Sequence, residues 1–198
     1  MQPATHSLGG EATFVMGDDP FVISVHPDPN TEEAIEFYRW LGTCVGTWAF
    51  IDRRLYQIFH HAIGLDQKQS AFLYYRNRAF NQRLRMVDEA VKMALPKKEF
   101  ENEWSPLHKE CLNLSHTRNI FAHHPTMRIG TAKDGKPIDI YGIYIEPYER
   151  VLNNDYPGLR GKAALEVEDL QQHNLEAERL ESTLCDFAWR MGSRKAGS

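Results

Sequence analysis

The stretch SPLHKECLNLSHTRNIFAHHP, residues 105–125, decides the fold. Ser105 followed by Pro106 is a helix-start signal, because a hydroxyl can cap the first amides and proline fits the first helical position. Pro125 marks the end, since proline disfavours helical geometry at the residue before it. Apolar residues recur between these points at three- and four-residue steps: Leu107, Cys111, Leu114 and Phe121. The stretch therefore predicts a helix from about residue 105 to 123 with one buried face.

Arg118 falls on the apolar stripe of this helix. A charged residue there is costly unless it is paired or reaches solvent. Leu112, His116, Asn119 and His123 form a second face on roughly the opposite side. Arg118 and His123 are about 140° apart on an ideal helix. They converge only if the last turn loosens, if Arg118 reaches round, or if a second subunit contributes one of them.

Three further helices are predicted around this one. They cover residues from about 31 to 63, ending at Gly64, from about 67 to 94, and from about 166 to 191. Four principal helices indicate an all-α antiparallel four-helix bundle over residues 31–191. Residues 1–30 are expected to be mostly a flexible tail in which FVISV can add a short strand, and residues 192–198 a second tail. A small β-hairpin at about 126–146, with Asp134-Gly135 as its turn, is inserted after the third main helix.

Helical spacing also predicts which residues face the core. Gly42 and Gly46, four residues apart, indicate the close approach of a neighbouring helix. In the first two helices the predicted inward residues are Ile35, Phe37, Leu41, Val45, Trp48, Leu55, Ile58, Ala62, Phe72, Ala79, Phe80, Leu84, Val87 and Val91.

The composition limits the functional classes. A net charge of −4 creates no global field that favours nucleic acid. The best local candidate, RNRAFNQRLR at 76–85, is typical of a solvated helix surface, with a binding stripe as the alternative. Three scattered cysteines fit buried free thiols in a reducing compartment. No leader pattern or bilayer-length apolar run is recognisable, so a cytoplasmic protein without a membrane partner is expected.

The segment RNIFAHH resembles the signature of the HEPN superfamily: an arginine, a polar residue that is often asparagine, a short gap and a histidine near the end of a bundle helix. This resemblance implies a homodimer in which two copies of the motif share one cleft. It also implies a metal-independent endoribonuclease or RNA-binding protein of the toxin or phage-defence type, with no cofactor. The site residues that it implies are Arg118, Asn119 and His123, with His116 and His124 as weaker substrate contacts.

The residue types suit RNA cleavage. The 2′-hydroxyl can attack the adjacent phosphorus, which requires a group of near-neutral pKa to move protons, such as histidine. A fixed arginine can stabilise the charge on the crowded phosphorus. Such a reaction leaves a 2′,3′-cyclic phosphate.

Other interpretations of the same residues remain open. Arg118 can pair with a carboxylate at the core edge, and the histidines can simply end a helix, where cationic side chains are favoured. Several relatives in the superfamily are non-catalytic modules, so a dimerisation or interaction module bound to an antitoxin-like protein is the alternative function. Arg54 and His60 form a second arginine–histidine pair, without the asparagine and alanine of the motif. A metal site is disfavoured, because Cys111 and the histidines face different ways and no standard ligand spacing is present.

Overall fold

We describe the protein from a computed structural model, which describes residues 21–25, 27–123, 126–133, 136–145 and 165–196. These residues are predominantly helical, as the sequence predicts at the level of fold class. The helices are α1 (Glu32–Ile63), α2 (Gln67–Arg76), α3 (Phe80–Ala94), α4 (Lys97–Glu99), α5 (Ser105–His123) and α6 (Val167–Ala196). The strands are β1 (Phe21–Val25), β2 (Thr126–Lys133) and β3 (Lys136–Ile145). Among the described residues, no helix is long and apolar enough to cross a membrane.

Both ends of α1 have identifiable signals. The backbone amide of Ala34 donates to Thr31 Oγ1 at 3.3 Å, so the hydroxyl of Thr31 caps the helix. The C-terminal end is the predicted glycine stop. Gly64 has a φ of 70°, a left-handed conformation that glycine adopts without a steric penalty, and its amide donates to the carbonyl of His60.

The helix predicted over residues 67–94 is in fact two helices. Asn77 and Ala79 both have extended backbone conformations, which end α2 and precede α3. No glycine or proline causes this break. Instead, the guanidinium of Arg83 donates from one nitrogen to the carbonyls of Asn77 and Arg78, at 3.0 and 2.7 Å. Arg83 thus satisfies backbone groups that a continuous helix would have paired internally.

The approach to α5 also differs from the prediction. A π-helical turn, Phe100–Trp104, runs directly into α5, and Ser105 itself has helical backbone angles. Ser105 is therefore not an N-cap in the structure. Trp104 is fully buried, and its Nε1 donates to Asp88 Oδ1 at 2.8 Å, so this turn is fixed to α3.

The chain forms two compact units. One comprises residues 1–42 and 119–171, and the other comprises residues 43–118 and 172–198. We call them the sheet unit and the helical unit. The boundary between them falls within α1, within α5 between Arg118 and Asn119, and within α6 between Gln171 and Gln172.

The sheet unit contains a three-stranded antiparallel sheet in the order β1-β2-β3. Strand β1 lies within the predicted N-terminal tail, at the FVISV segment. The register between β2 and β3 shifts where Arg128 faces Ile143 but Gly130 faces Ile140, which marks a β-bulge or irregularity in this pair of strands. The predicted turn at 134–135 lies outside the described residues. The amide of Ile143 donates to Glu33 Oε1 at 3.1 Å, which ties β3 to the first turn of α1.

The helical unit has a continuous apolar core. Trp104 packs against Phe187 with ring centroids 5.5 Å apart. The residues that recur at three- and four-residue steps along α6 are all buried: Leu170 in the sheet unit, and His173, Ala177, Leu180, Leu184, Phe187 and Met191 in the helical unit. The sequence alone favours a surface or helix-edge position for His173; this prediction is wrong, because the side chain is buried.

Several predicted inward residues instead face outward. Ile35, Val45 and Phe72 are exposed by 56%, 48% and 68%, and Ala79 is exposed. A Cβ atom built at Gly42 or Gly46 would meet no atom within 4 Å, so no described residue approaches the helix there. The expectation of a close neighbouring helix at these glycines is wrong for the described residues.

Candidate functional site

Helix α5 buries the predicted stripe. Leu107, Cys111, Leu114 and Phe121 are at most 7% exposed. Arg118 continues this stripe as a half-buried residue. The amphipathic pattern of residues 105–123 therefore predicted both the buried face and the unusual position of the arginine on it.

Arg118 lies over an aromatic ring in the helical unit. Its guanidinium carbon is 6.0 Å from the centroid of the Trp48 ring, and Trp48 is itself buried and packs against Phe80 at 4.9 Å. This is a cation–π arrangement. The ring provides an apolar support against which the charged group is held.

Burial lowers the pKa of Arg118 below its ordinary value, and the nearby positive charge of Arg83 lowers it further, while Asp52 acts in the opposite direction. The charged form of Arg118 is therefore less favourable in this environment than in water. An anion that reached it would relieve both effects, because charges interact more strongly where water is partly excluded.

The neighbours of Arg118 form a hydrogen-bonded cluster that the sequence did not predict. Arg83 Nε donates to Asp52 Oδ1 at 2.9 Å, and the hydroxyl of Tyr74 donates to the same carboxylate oxygen at 3.1 Å. Burial is the main cause that raises the pKa of Tyr74, so it stays a neutral donor. The only sequence signal was a group of charges, Asp52, Arg53 and Arg54, that interrupts the apolar pattern of α1.

The last turn of α5, which belongs to the sheet unit, contains the motif residues Asn119 and His123. Asn119 is half-buried, and His123, the last residue of α5, is exposed. His116, which lies in the part of α5 that belongs to the helical unit, is exposed as well. His124 and Pro125 lie outside the described residues. The side chain of His123 is therefore accessible to a substrate from the solvent.

The competing pair, Arg54 and His60, is occupied by structural contacts within the helical unit. Arg54 Nε donates to Glu181 Oε1 at 2.6 Å, and another of its nitrogens donates to Gln57. His60 Nδ1 is 2.9 Å from Ser70 Oγ. These contacts account for both side chains without a ligand.

The cysteines are poor candidates for chemistry. Burial raises the pKa of Cys44 and of Cys111 from 9.0 to about 12, so both thiols stay protonated near neutral pH. Within the described ranges, no three histidine, cysteine, aspartate or glutamate side chains are grouped in a way that could hold a metal ion.

A cleft of about 280 Å³ in the sheet unit is acidic. It is lined by Glu33, Glu36, Phe37, Ile143, Glu166, Val167 and Glu168. Four carboxylates without a lysine or arginine among them repel a polyanion, so this cleft does not suit RNA.

No protein-family model, curated protein or solved structure matches this chain.

Proposed function

We propose that the protein is a metal-independent endoribonuclease of the HEPN type that acts through Arg118, Asn119 and His123. The proposal rests on two side chains of α5 that have complementary chemical properties. A half-buried arginine with a lowered pKa is followed, five residues later on the same helix, by a solvent-exposed histidine. The first suits an anionic phosphate, and the second suits proton transfer.

In the proposed reaction, one imidazole of His123 accepts the proton of the RNA 2′-hydroxyl. The 2′-oxygen then forms a bond to the adjacent phosphorus, and the bond from phosphorus to the 5′-oxygen breaks. The departing 5′-oxygen takes a proton from a water molecule, and the imidazolium of His123 returns its proton to the solvent. The products are a 2′,3′-cyclic phosphate and a 5′-hydroxyl, and Arg118 stabilises the charge on the phosphorane oxygens. Asn119 orients the imidazole or the phosphate through its amide, and His116 and His124 contact the RNA near the cut.

We propose a homodimer on the basis of the spacing of Arg118 and His123 along α5. Residues 118 and 123 are about 140° apart on a regular helix, and Arg118 is held over Trp48. On a regular helix the two side chains therefore diverge within one chain. Two α5 helices related by a twofold axis bring Arg118 of one copy to His123 of the other. We propose an antiparallel four-helix bundle with the β2–β3 hairpin as an insertion for each copy.

A mixing experiment tests this composite site. Arg118→Ala and His123→Ala homodimers should each be inactive. A refolded mixture should regain roughly a quarter of wild-type activity, because half of the dimers are mixed and each of these retains one intact site. Differently tagged chains show whether mixed dimers have formed. If they have formed and no activity returns, the two residues do not act across a dimer interface, or they are not the catalytic residues.

A non-catalytic interaction module is the second candidate. The observation that favours it is exposed apolar surface on the part of α1 in the helical unit, where Val45 and Phe50 are exposed by 48% and 55% and Gly46 is uncovered. Such surface suits a protein partner, for example an antitoxin-like protein. An inactive wild type that forms a defined complex through Phe50, lost in Phe50→Ser, would favour this candidate over the nuclease.

A further inference from the structure

The segment from α2 to α3 has an unusual local charge. From Gln67 to Val87 the chain contains no aspartate or glutamate, although the whole protein carries a net charge of −4. The same segment contains five cations: Lys68, Arg76, Arg78, Arg83 and Arg85. A positive surface this local can attract a polyanion despite the acidic net charge.

One of these cations is structural, and the others are exposed. Arg83 pairs with Asp52 and holds the break between α2 and α3 through the carbonyls of Asn77 and Arg78. The remaining cations form no ion pair within the described part of the chain, and all are exposed: Lys68, Arg76, Arg78 and Arg85.

The acidic residues that border the segment are already engaged. Asp66 accepts a hydrogen bond from the amide of Gln69 at the start of α2, at 2.9 Å. Asp88 accepts from Trp104 Nε1. Neither carboxylate therefore has the cations of the segment as its main partner.

Helix α2 combines the cations with aromatic rings on one face. Two cations and two aromatic residues of α2 fall within about 100° of the helix circumference: Lys68, Phe72, Tyr75 and Arg76. All four side chains are exposed. The opposite face is buried through Ser70 and Tyr74. The exposed face is hereafter the α2 face.

The two rings of the α2 face remain accessible while one of them is held in place. Phe72 is exposed by 68% and Tyr75 by 52%. The ring of Tyr75 lies 5.0 Å from that of Tyr74 in an edge-to-face arrangement and 5.5 Å from that of Tyr56. Tyr75 is therefore positioned by buried Tyr74 and half-buried Tyr56, and it can accept a planar group without losing much conformational freedom.

We propose that the α2 face, together with Arg78 in the break that follows α2, binds single-stranded RNA, with bases stacked on Phe72 and Tyr75 and phosphates paired with Lys68, Arg76 and Arg78. Stacking on exposed aromatic rings requires unpaired bases, which excludes a regular duplex. The choice of RNA over other polyanions rests on the proposed function, whereas the binding surface itself rests on the charges and rings of α2.

The test is direct binding of a fluorescent 2′-O-methyl RNA of roughly 12 nucleotides, measured by anisotropy. This RNA lacks the attacking hydroxyl, so binding is measured without cleavage. Phe72→Leu keeps an apolar side chain but removes the ring, and it should weaken binding about 5- to 100-fold. The double variant Arg76→Gln/Arg78→Gln should reduce the dependence of log affinity on log salt by about 0.7 for each cation removed.

Two matched controls separate the α2 face from exposed surface in general. Trp189→Leu removes another exposed aromatic ring, at 72% exposure, and Lys98→Gln removes an exposed cation of α4. Neither should change the affinity by more than about twofold. Circular-dichroism melts check that each variant is folded.

The inference is overturned if Phe72→Leu and the double arginine variant bind this RNA as the wild type does. It is equally overturned if the protein binds anionic phospholipid vesicles through Phe72 but does not bind the RNA. The nuclease proposal would fail on a different result. If the α2 variants lose binding while wild-type protein cleaves no RNA, the surface stands without the catalytic assignment.

Discussion

The guanidinium carbon of Arg118 lies 6.0 Å from the centroid of the Trp48 ring, and both residues belong to the helical unit. Arg118 therefore does not extend freely into solvent from the end of α5. It is held against a buried ring, close to the charges of Arg83 and Asp52. A positioned, partly desolvated cation of this kind is suited to stabilising a phosphate whose charge increases during a reaction.

This position predicts that Arg118 contributes little to stability. Because its pKa is lowered in the folded state, folding disfavours its charged form, and an apolar side chain of similar length should be tolerated. Arg118→Met should change the urea midpoint of unfolding only slightly while RNA cleavage is lost. A clear fall in the midpoint would indicate that Arg118 serves mainly as a structural residue.

In contrast to Arg118, Arg83 is predicted to contribute strongly to the stability of the fold. Its side chain is 15% exposed, pairs with Asp52 at 2.9 Å and satisfies two carbonyls at the break between α2 and α3. Arg83→Gln should lower the free energy of unfolding by about 2–4 kcal/mol, since it leaves a partly buried carboxylate without its cation. Arg85→Gln, an exposed arginine on the same helix, is the matched control and should have little effect. Equal urea midpoints for the two variants would contradict this account of the break.

Arg54 and His60 should be dispensable for any RNA cleavage. Arg54 forms a short ion pair with Glu181, and His60 contacts Ser70. Arg54→Gln should reduce stability by about 1–3 kcal/mol but retain the wild-type cleavage rate at a temperature where the variant is folded. If cleavage disappears from folded Arg54→Gln or His60→Ala protein, the active arginine–histidine pair is on α1 and not on α5.

Alkaline pH should destabilise the fold through the buried thiols. Their pKa values rise from 9.0 to about 12 on folding, so the unfolded chain loses protons first as the pH rises above 9. Stability is therefore fully present below pH 9 and declines up to about pH 12, by about 1.4 kcal/mol per pH unit for each thiol. Urea titrations in a reducing buffer at several pH values measure this slope. Cys111→Ala should make the slope shallower, and an unchanged slope would contradict the assignment.

The sequence predicted the features that depend on local signals. The glycine stop of α1, the buried stripe of α5 and the inward residues of α6 follow from helical periodicity and from residues with special backbone preferences. Pro125 and the repeated apolar steps were sufficient to locate Arg118 on the buried side of its helix.

The features that the sequence did not predict depend on distant contacts. The break at Asn77–Ala79 is held by Arg83 rather than by glycine or proline, so no local breaker indicates it. Trp48 and Arg118 are 70 positions apart, and no periodicity connects them. Phe72 and Val45 are apolar residues on helices with more than one apolar side. A helical wheel alone cannot determine which side the rest of the chain covers.

His124 provides the sharpest control for the histidine assignment. Asn119 and His123 are four residues apart and share a face of α5, whereas His124 is rotated by about 100° from His123. His124→Ala should therefore reduce cleavage much less than His123→Ala. The reverse order of effects would move the proton-transfer role to His124.

Cleavage of an unstructured RNA in excess EDTA tests the central claim most directly. The wild-type protein should produce fragments that end in a 2′,3′-cyclic phosphate, and a DNA strand of the same sequence should remain intact because it lacks the attacking hydroxyl. Folded His123→Ala should cleave at least about 100-fold more slowly, as expected when a proton carrier is lost. Wild-type rates in folded His123→Ala, or no cleavage by the wild-type protein across varied RNA sequences, would contradict the account.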